Sequence, residues 1–294
     1  MPLSPPRPSR ERRGMTLVEI LIALVMLGVV SAALYRVLLS NQRIYQAQTQ
    51  HIDLQQNIRA AATLLPAELR EIAATDGDIE AMSPTAITIR AMRWMGFICV
   101  PPSLGGAVVG TSMTVRAQPF YGTPQINTGR DSMFVYYDGD QETRDDDDWA
   151  LAQPTSVGNA ACPDGKPGLD IAVNWKLAPP NVAGGIPPGA PVRGFTTVSY
   201  RLYQPPGGEL WYVGMQPAGG AIEPVIGPVI EGGLSFAYFD STGAVTTVPT
   251  RVARIDVVVR GRTIQAVQNA AGAGKAVAVD SVLTSVALRN NRRY

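Results

Sequence analysis

A chain of 294 residues in which 46% are apolar and only 17% charged is expected to bury a core rather than stay disordered. Its net charge of +1 carries no whole-chain nucleic-acid signature, and one histidine with two cysteines excludes His-rich and four-Cys zinc centres. The length fits one large domain or two small ones.

The charge is unevenly placed. Residues 1–14 hold Arg7, Arg10, Arg12 and Arg13 against Glu11. Directly after them, Met15 to Tyr35 reads MTLVEILIALVMLGVVSAALY, with Glu19 as its only charge. As a helix rising ~1.5 Å per residue, this run spans ~30 Å, the hydrocarbon thickness of a bilayer. The arginines before it are expected to stay on the cytoplasmic side, which places the rest of the chain outside. A secretory signal peptide cut after Ser31-Ala32-Ala33 is the ordinary alternative. Glu19 argues against it, because a carboxylate within an apolar run costs a few kcal/mol unless a partner neutralises it.

The string Arg12-Arg13-Gly14-Met15-Thr16-Leu17-Val18-Glu19 resembles the cleavage and N-methylation motif of type IV prepilins and of the pseudopilins of type II secretion. The resemblance implies that a prepilin peptidase cuts between Gly14 and Met15. Met15 then becomes the methylated first residue and Glu19 the fifth. The family's usual first residue is Phe, and Met15 departs from it. The implied partners are the prepilin peptidase, the lipid bilayer, an inner-membrane assembly machinery and other pilins or pseudopilins in a filament. The implied location is the inner membrane with an extracytoplasmic head, followed by the pilus or pseudopilus after assembly. A glycine before the scissile bond leaves the backbone open to the protease. Glu19 supplies a negative partner for a protonated N-terminal amine, its own or a neighbour's, in low dielectric.

Past the apolar run, residues 40–50 are more polar and read as a neck. Leu54, Ile58, Ala61, Leu65, Leu69 and Ile72 then recur at helical spacing and form one apolar face. Pro66 is expected to kink or divide this helix, and Asp76-Gly77 to end it. The piece Gln55 to Ala61, followed by Leu69-Arg70, resembles PilW-like minor pilins and J-type pseudopilins, as do Tyr200-Arg201-Leu202, Phe236 to Asp240 and Thr284 to Asn290. Arg36 stands where major pilins often carry a helix-bending proline, which also points to a minor subunit.

Beyond residue 80 the pattern turns to strands. The candidates are Ala86–Met92, Met133–Tyr137, Ile171–Leu177, Thr197–Tyr203, Glu209–Gly214, Leu234–Phe239, Arg254–Val259 and Val282–Leu288. Pro205-Pro206-Gly207-Gly208 is expected to join two of them as a hairpin, and Asp240-Ser241-Thr242-Gly243 to turn another pair. The Pro/Gly-rich stretch 178–194 reads as an extended surface loop, and 95–190 resists assignment. The fold class expected is α+β. A long transmembrane and amphipathic N-terminal helix packs on an antiparallel, β-rich, pilin-like head. In residues, 1–14 is a cytoplasmic leader, 15–39 the membrane helix, 40–75 the amphipathic helix and 76–294 the head.

Chemistry in the head is sparse. Cys99 and Cys162 suit a single disulfide if the head is exported, with two buried thiols as the alternative. Asp138, Asp140 and Glu142 place oxygens at alternate positions that could wrap Ca²⁺, but they match no EF-hand loop, and a solvated acidic loop is the plainer reading. Arg289, Arg292 and Arg293 form a basic tail for which DNA or a surface ligand is the functional reading and solvation the plain one. The only histidine, His51, lies in the helical stalk, so no histidine-dependent catalytic site is available to the head. No hydrolase, zincin or P-loop motif occurs. The function expected is structural, that of a minor pilin without enzymatic activity or cofactor. The alternatives are a J-type pseudopilin, or a pilus-tip adhesin or DNA-binding module.

Overall fold

The computed structural model describes residues 15–105, 108–109, 111–123, 125–139, 142, 147–179, 185–268 and 274–289. Helix α1 runs unbroken from Leu17 to Arg70, about 80 Å at 1.5 Å per residue. Pro66 does not divide it, although its missing N–H leaves one carbonyl without a helical donor. Only four residues follow the proline, and Leu65 and Leu69 on either side of it are fully buried. Burial of such side chains is worth about 1.5–3 kcal/mol each, enough to hold the last turn against the head. The helix stops at Arg70, ahead of Asp76-Gly77. That pair instead closes a short 3₁₀ turn, Ala74–Asp76, with Gly77 in the left-handed region at φ 79°.

Sixteen strands follow among the described residues. The first six are β1 (Ile79–Met82), β2 (Ala86–Val100), β3 (Leu104–Gly105), β4 (Val108–Val109), β5 (Ser112–Arg116) and β6 (Tyr121–Gly122). Next come β7 (Asp131–Tyr137), β8 (Asp148–Ala161), β9 (Pro167–Leu177), β10 (Pro191–Tyr203) and β11 (Trp211–Pro217). The last are β12 (Glu223–Phe239), β13 (Arg254–Arg262), β14 (Val267–Gln268), β15 (Lys275–Ala276) and β16 (Val279–Ala287). The main sheet is antiparallel and runs β1-β2-β5-β9-β8-β7-β10-β11-β12-β13-β16, with β10 pairing back onto β2.

That extra pairing divides the head into two layers of different shape. Strands β2, β5, β9, β8, β7 and β10 close a ring, a small barrel filled by Trp94, Ile98, Val115, Met133, Ile171 and Val192. The other ends of β2 and β10 continue into an open sheet with β1, β11, β12, β13 and β16. This sheet carries α1 on one face, where Ala61, Leu65 and Leu69 meet Ile89, Tyr200, Val257 and Val286 in one core. The stripe read from the sequence is therefore the face that packs, with Ile58 half-buried and Ile72 buried just past the helix end.

The junction between the layers is a β-bulge. Phe195 pairs with Met92 and Gly194 with Trp94, so Arg93 has no partner on β10. An extra residue on one strand bends it. Here the bend separates Ala91, in the helix-backed core, from Trp94, in the barrel core. The freed Arg93 reaches Glu68 of α1 at 3.0 Å. A second tie lies close by. Asp78, almost fully buried, accepts the Ala73 N–H at 2.9 Å and faces Arg193 at 3.5 Å. Burial raises its carboxyl pKa above the usual range despite these partners.

Gly194 is where the barrel needs a missing side chain. A Cβ there would collide with the Trp94 indole, which is buried and stacked on Phe120 at 5.4 Å. Gly194→Ala is expected to destabilise the barrel by about 3 kcal/mol through overpacking. Chemical denaturation of the full chain in detergent checks this, and an unchanged midpoint would contradict it.

All eight strand candidates correspond to observed strands, several with extended ends, and Pro205–Gly208 does join β10 to β11. Asp240–Gly243 turns the chain after β12, but β13 begins only after a further 3₁₀ turn at Pro249–Arg251. The reading of 178–194 as surface loop is corrected in its last part. Pro191 to Gly194 open β10, and Ile186, Ala190 and Val192 are buried in the barrel. Small and cyclic residues there let the chain pass close to Trp94 instead of running over the surface.

Candidate functional site

The start of α1 is built by Thr16. Its extended backbone and side-chain oxygen form the N-cap, and Oγ1 accepts the Glu19 N–H at 3.3 Å. The Thr16 carbonyl accepts the Ile20 N–H at 3.2 Å and opens the helical ladder. Thr-x-x-Glu at these positions is the sequence of a capping box, in which the N3 carboxylate also favours the positive end of the helix dipole. Thr16 is thus a residue that sequence reasoning passed over, though the spacing was there to read.

From Met15 to Leu38 no side chain is buried by the rest of the protein. This is the one described helix segment long and apolar enough to cross a membrane, and none of it is covered by the head. A core helix of a soluble protein would be mostly buried, so this surface needs lipid or other helices around it. Glu19 sits in this bare stretch. No ion pair engages it among the described residues, and the next basic residue along the helix, Arg36, is ~25 Å away. The head is farther still, since it first meets α1 near Arg43, ~35 Å along the axis. Any cation for Glu19 must come from the N-terminal end or from another chain. Gly14 lies outside the described residues, and Met15 immediately precedes the cap, exposed.

The other candidates fall elsewhere. Cys99 on β2 and Cys162, at the tip of the β8–β9 hairpin, are joined as a disulfide with Cα atoms 5.6 Å apart. The bond lies in the barrel, far from α1's N-terminus. Asp138 is half-buried, and its N–H donates to the Gly185 carbonyl at 2.8 Å. Glu142 is exposed, and Asp140 lies outside the described residues. Among the described residues no group of three or more His, Cys, Asp or Glu side chains is placed to hold a metal ion. Arg292 and Arg293 are also outside the described residues, whereas the Arg289 N–H donates to the Arg70 carbonyl at 3.2 Å and helps close the helix end. His51 is exposed on the stalk.

Residues 9–35 match the family model described as the prokaryotic N-terminal methylation motif, which marks type IV prepilin-like proteins. No curated protein and no solved structure matches the chain. The motif and the bare apolar helix together support a membrane-anchored protein of the type IV pilin-like or pseudopilin class, processed by a prepilin peptidase and assembled with other pilins.

Proposed function

We propose that the chain is a minor type IV pilin that helps initiate a filament or occupies its tip. The observation that carries this reading is the position of the barrel. Its root, the Arg93–Glu68 pair, lies ~75 Å along α1 from Glu19, at the end of the helix opposite the apolar segment. A bulky unit rooted there is easily carried by a subunit with nothing stacked beyond it. In a repeating shaft every neighbour would have to accommodate it.

The mechanism has three steps. The peptidase hydrolyses the Gly14–Met15 bond and removes residues 1–14. The freed Met15–Leu39 segment waits in the inner membrane. It then exchanges lipid contacts for helix–helix contacts in the filament core, where Glu19 pairs with an N-terminal amine. Sequencing the membrane-extracted protein is expected to give Met15 as the first residue, and a start at Leu34 would mean a secretory signal peptide instead. Immunogold labelling of the barrel on sheared filaments is expected to mark ends only. Labelling along the whole shaft would remove the tip role, and loss of protein secretion with intact pili in a deletion strain would assign the chain to a J-type pseudopilus.

A further inference from the structure

We propose that β16 is a docking edge for an extended strand of a different protein, uncharged along its length and basic at its C-terminal end. The direction assigned to that strand rests on the membrane-anchored reading of α1. The two edges of the helix-backed sheet are not alike. At one, β1 is four residues long, shifts register between Ile79 and Ala81, carries Glu80 and is followed by Pro84. Short length, irregular register, charge and proline are the means by which natural sheets blunt an edge. At the other, β16 matches β13 residue for residue from Val279 opposite Arg262 to Ala287 opposite Arg254, with no shift. It contains no proline, lysine or arginine, and Asp280 is its only charge. No described strand pairs with its outer side. Leu283 and Val279 are more than half exposed, while Val286 faces the helix-backed core.

Direction decides the occupant. Gly261, opposite Asp280, packs on Leu54 and Ile58, and Arg289 just past β16 bonds to Arg70. The strand therefore runs in the same sense as α1, away from the apolar segment. Two copies anchored in one membrane carry β16 in the same direction, so antiparallel pairing between them would turn one anchor away from the bilayer. Antiparallel ladders are the more stable kind. The partner is then a strand from another chain that runs back toward the membrane, adding to the edge by main-chain hydrogen bonds. Its C-terminal end falls beside Asp280, which a basic residue there complements.

The test uses the full chain in detergent and two blocked alternating Thr-Val peptides, one carrying lysine at the C-terminal end and the other at the N-terminal end. Hydrogen exchange is read strand by strand. The C-terminal-lysine peptide is expected to slow alternate amides of β16 and to bind up to about fivefold tighter than the other, the effect of one cross-strand ion pair. Leu283→Lys, at an exposed position, is expected to weaken binding about tenfold by charging the edge, with the Cys99–Cys162 bond and circular dichroism unchanged. The proposal is overturned if no β16 amide slows, if β1 slows equally, or if the N-terminal-lysine peptide binds tighter. It is also overturned if the outward-facing β16 amides, those not bonded to β13, are already slow in the protein alone, which would mean that the edge is occupied by its own chain. Peptide binding needs no filament, so this outcome stands apart from that of the minor-pilin reading.

Discussion

Glu19→Ala is expected to reach the membrane at wild-type level and to be depleted about tenfold or more from sheared filaments, since leaving a helix-core charge site unpaired costs a few kcal/mol. The geometry leaves few other suppliers of the opposite charge. The head begins ~35 Å away along α1, near Arg43, and Arg36 is ~25 Å away. In a filament, an amine four residues back or on the adjacent helix can meet the carboxylate, and only one docking depth brings the two together. The cap offers a rival explanation, because Thr16 and Glu19 also form the sequence of a capping box. Glu19→Gln separates the two, since glutamine can occupy the capping position but brings no charge. It is expected to fall with Glu19→Ala. Thr16→Val removes the cap oxygen at a cost of about 1 kcal/mol to the helix start and is expected to assemble nearly normally. If Gln assembled like wild type while Ala and Val failed, Glu19 would be a helix cap. Equal incorporation of all variants would make it incidental. The readout is the ratio of filament to membrane protein for each variant.

The second large effect concerns the disulfide. Replacing both Cys99 and Cys162 with alanine is expected to cost the barrel about 4 kcal/mol, the chain-entropy value for a loop of this size. The bond ties residues 63 apart and encloses the strands from β3 to β8. It links β2, which the barrel shares with the helix-backed sheet, to a hairpin tip that otherwise reaches β2 only around the ring, through β9 and β5 on one side and through β8, β7 and β10 on the other. The loss should therefore be local. Amides of β5, β8 and β9 are expected to exchange faster in the double variant, while those of β12 and β13 keep their protection. A uniform loss across both layers would show that the head opens as one unit. Wild-type protein purified without reductant should show no reactive thiol.

What the sequence made legible follows from how each signal survives in the fold. The stripe from Leu54 to Leu69 was readable because one helix face meets one sheet, so its spacing is the packing. Strands such as Arg254–Arg262 showed their alternation because only one of their faces is buried. The barrel was opaque for the opposite reasons. Its strand β8, Asp148–Ala161, is mostly Ala, Gly, Asn, Gln and Ser around Trp149, Leu151, Thr155 and Val157, with Pro154 at a shift in register before Ser156. That composition favours a strand only weakly, and its neighbours impose one. The start of β10 was hidden by Pro191, opposite Phe97, and by Gly194, which leaves room for Trp94. The ring itself depends on β10 returning to β2, a pairing of residues about a hundred positions apart that no local pattern encodes. At the site, Glu19 was conspicuous as a charge in an apolar run, whereas Thr16 was an ordinary hydroxyl whose role needs the helix start to be seen.

The bulge at Arg93 has a consequence for how such a molecule changes over time. Trp94, where the chain enters the barrel, and Gly194, where it leaves, are cross-strand neighbours, so the whole ring hangs from the parent sheet as a hairpin tip would. Replacing residues 95–193 with a short turn would leave each strand of the helix-backed layer beside its present partner. The helix-backed layer and the barrel are thereby separable inheritances. Mutation can reshape, enlarge or discard the barrel without disturbing the packing of α1 on its sheet.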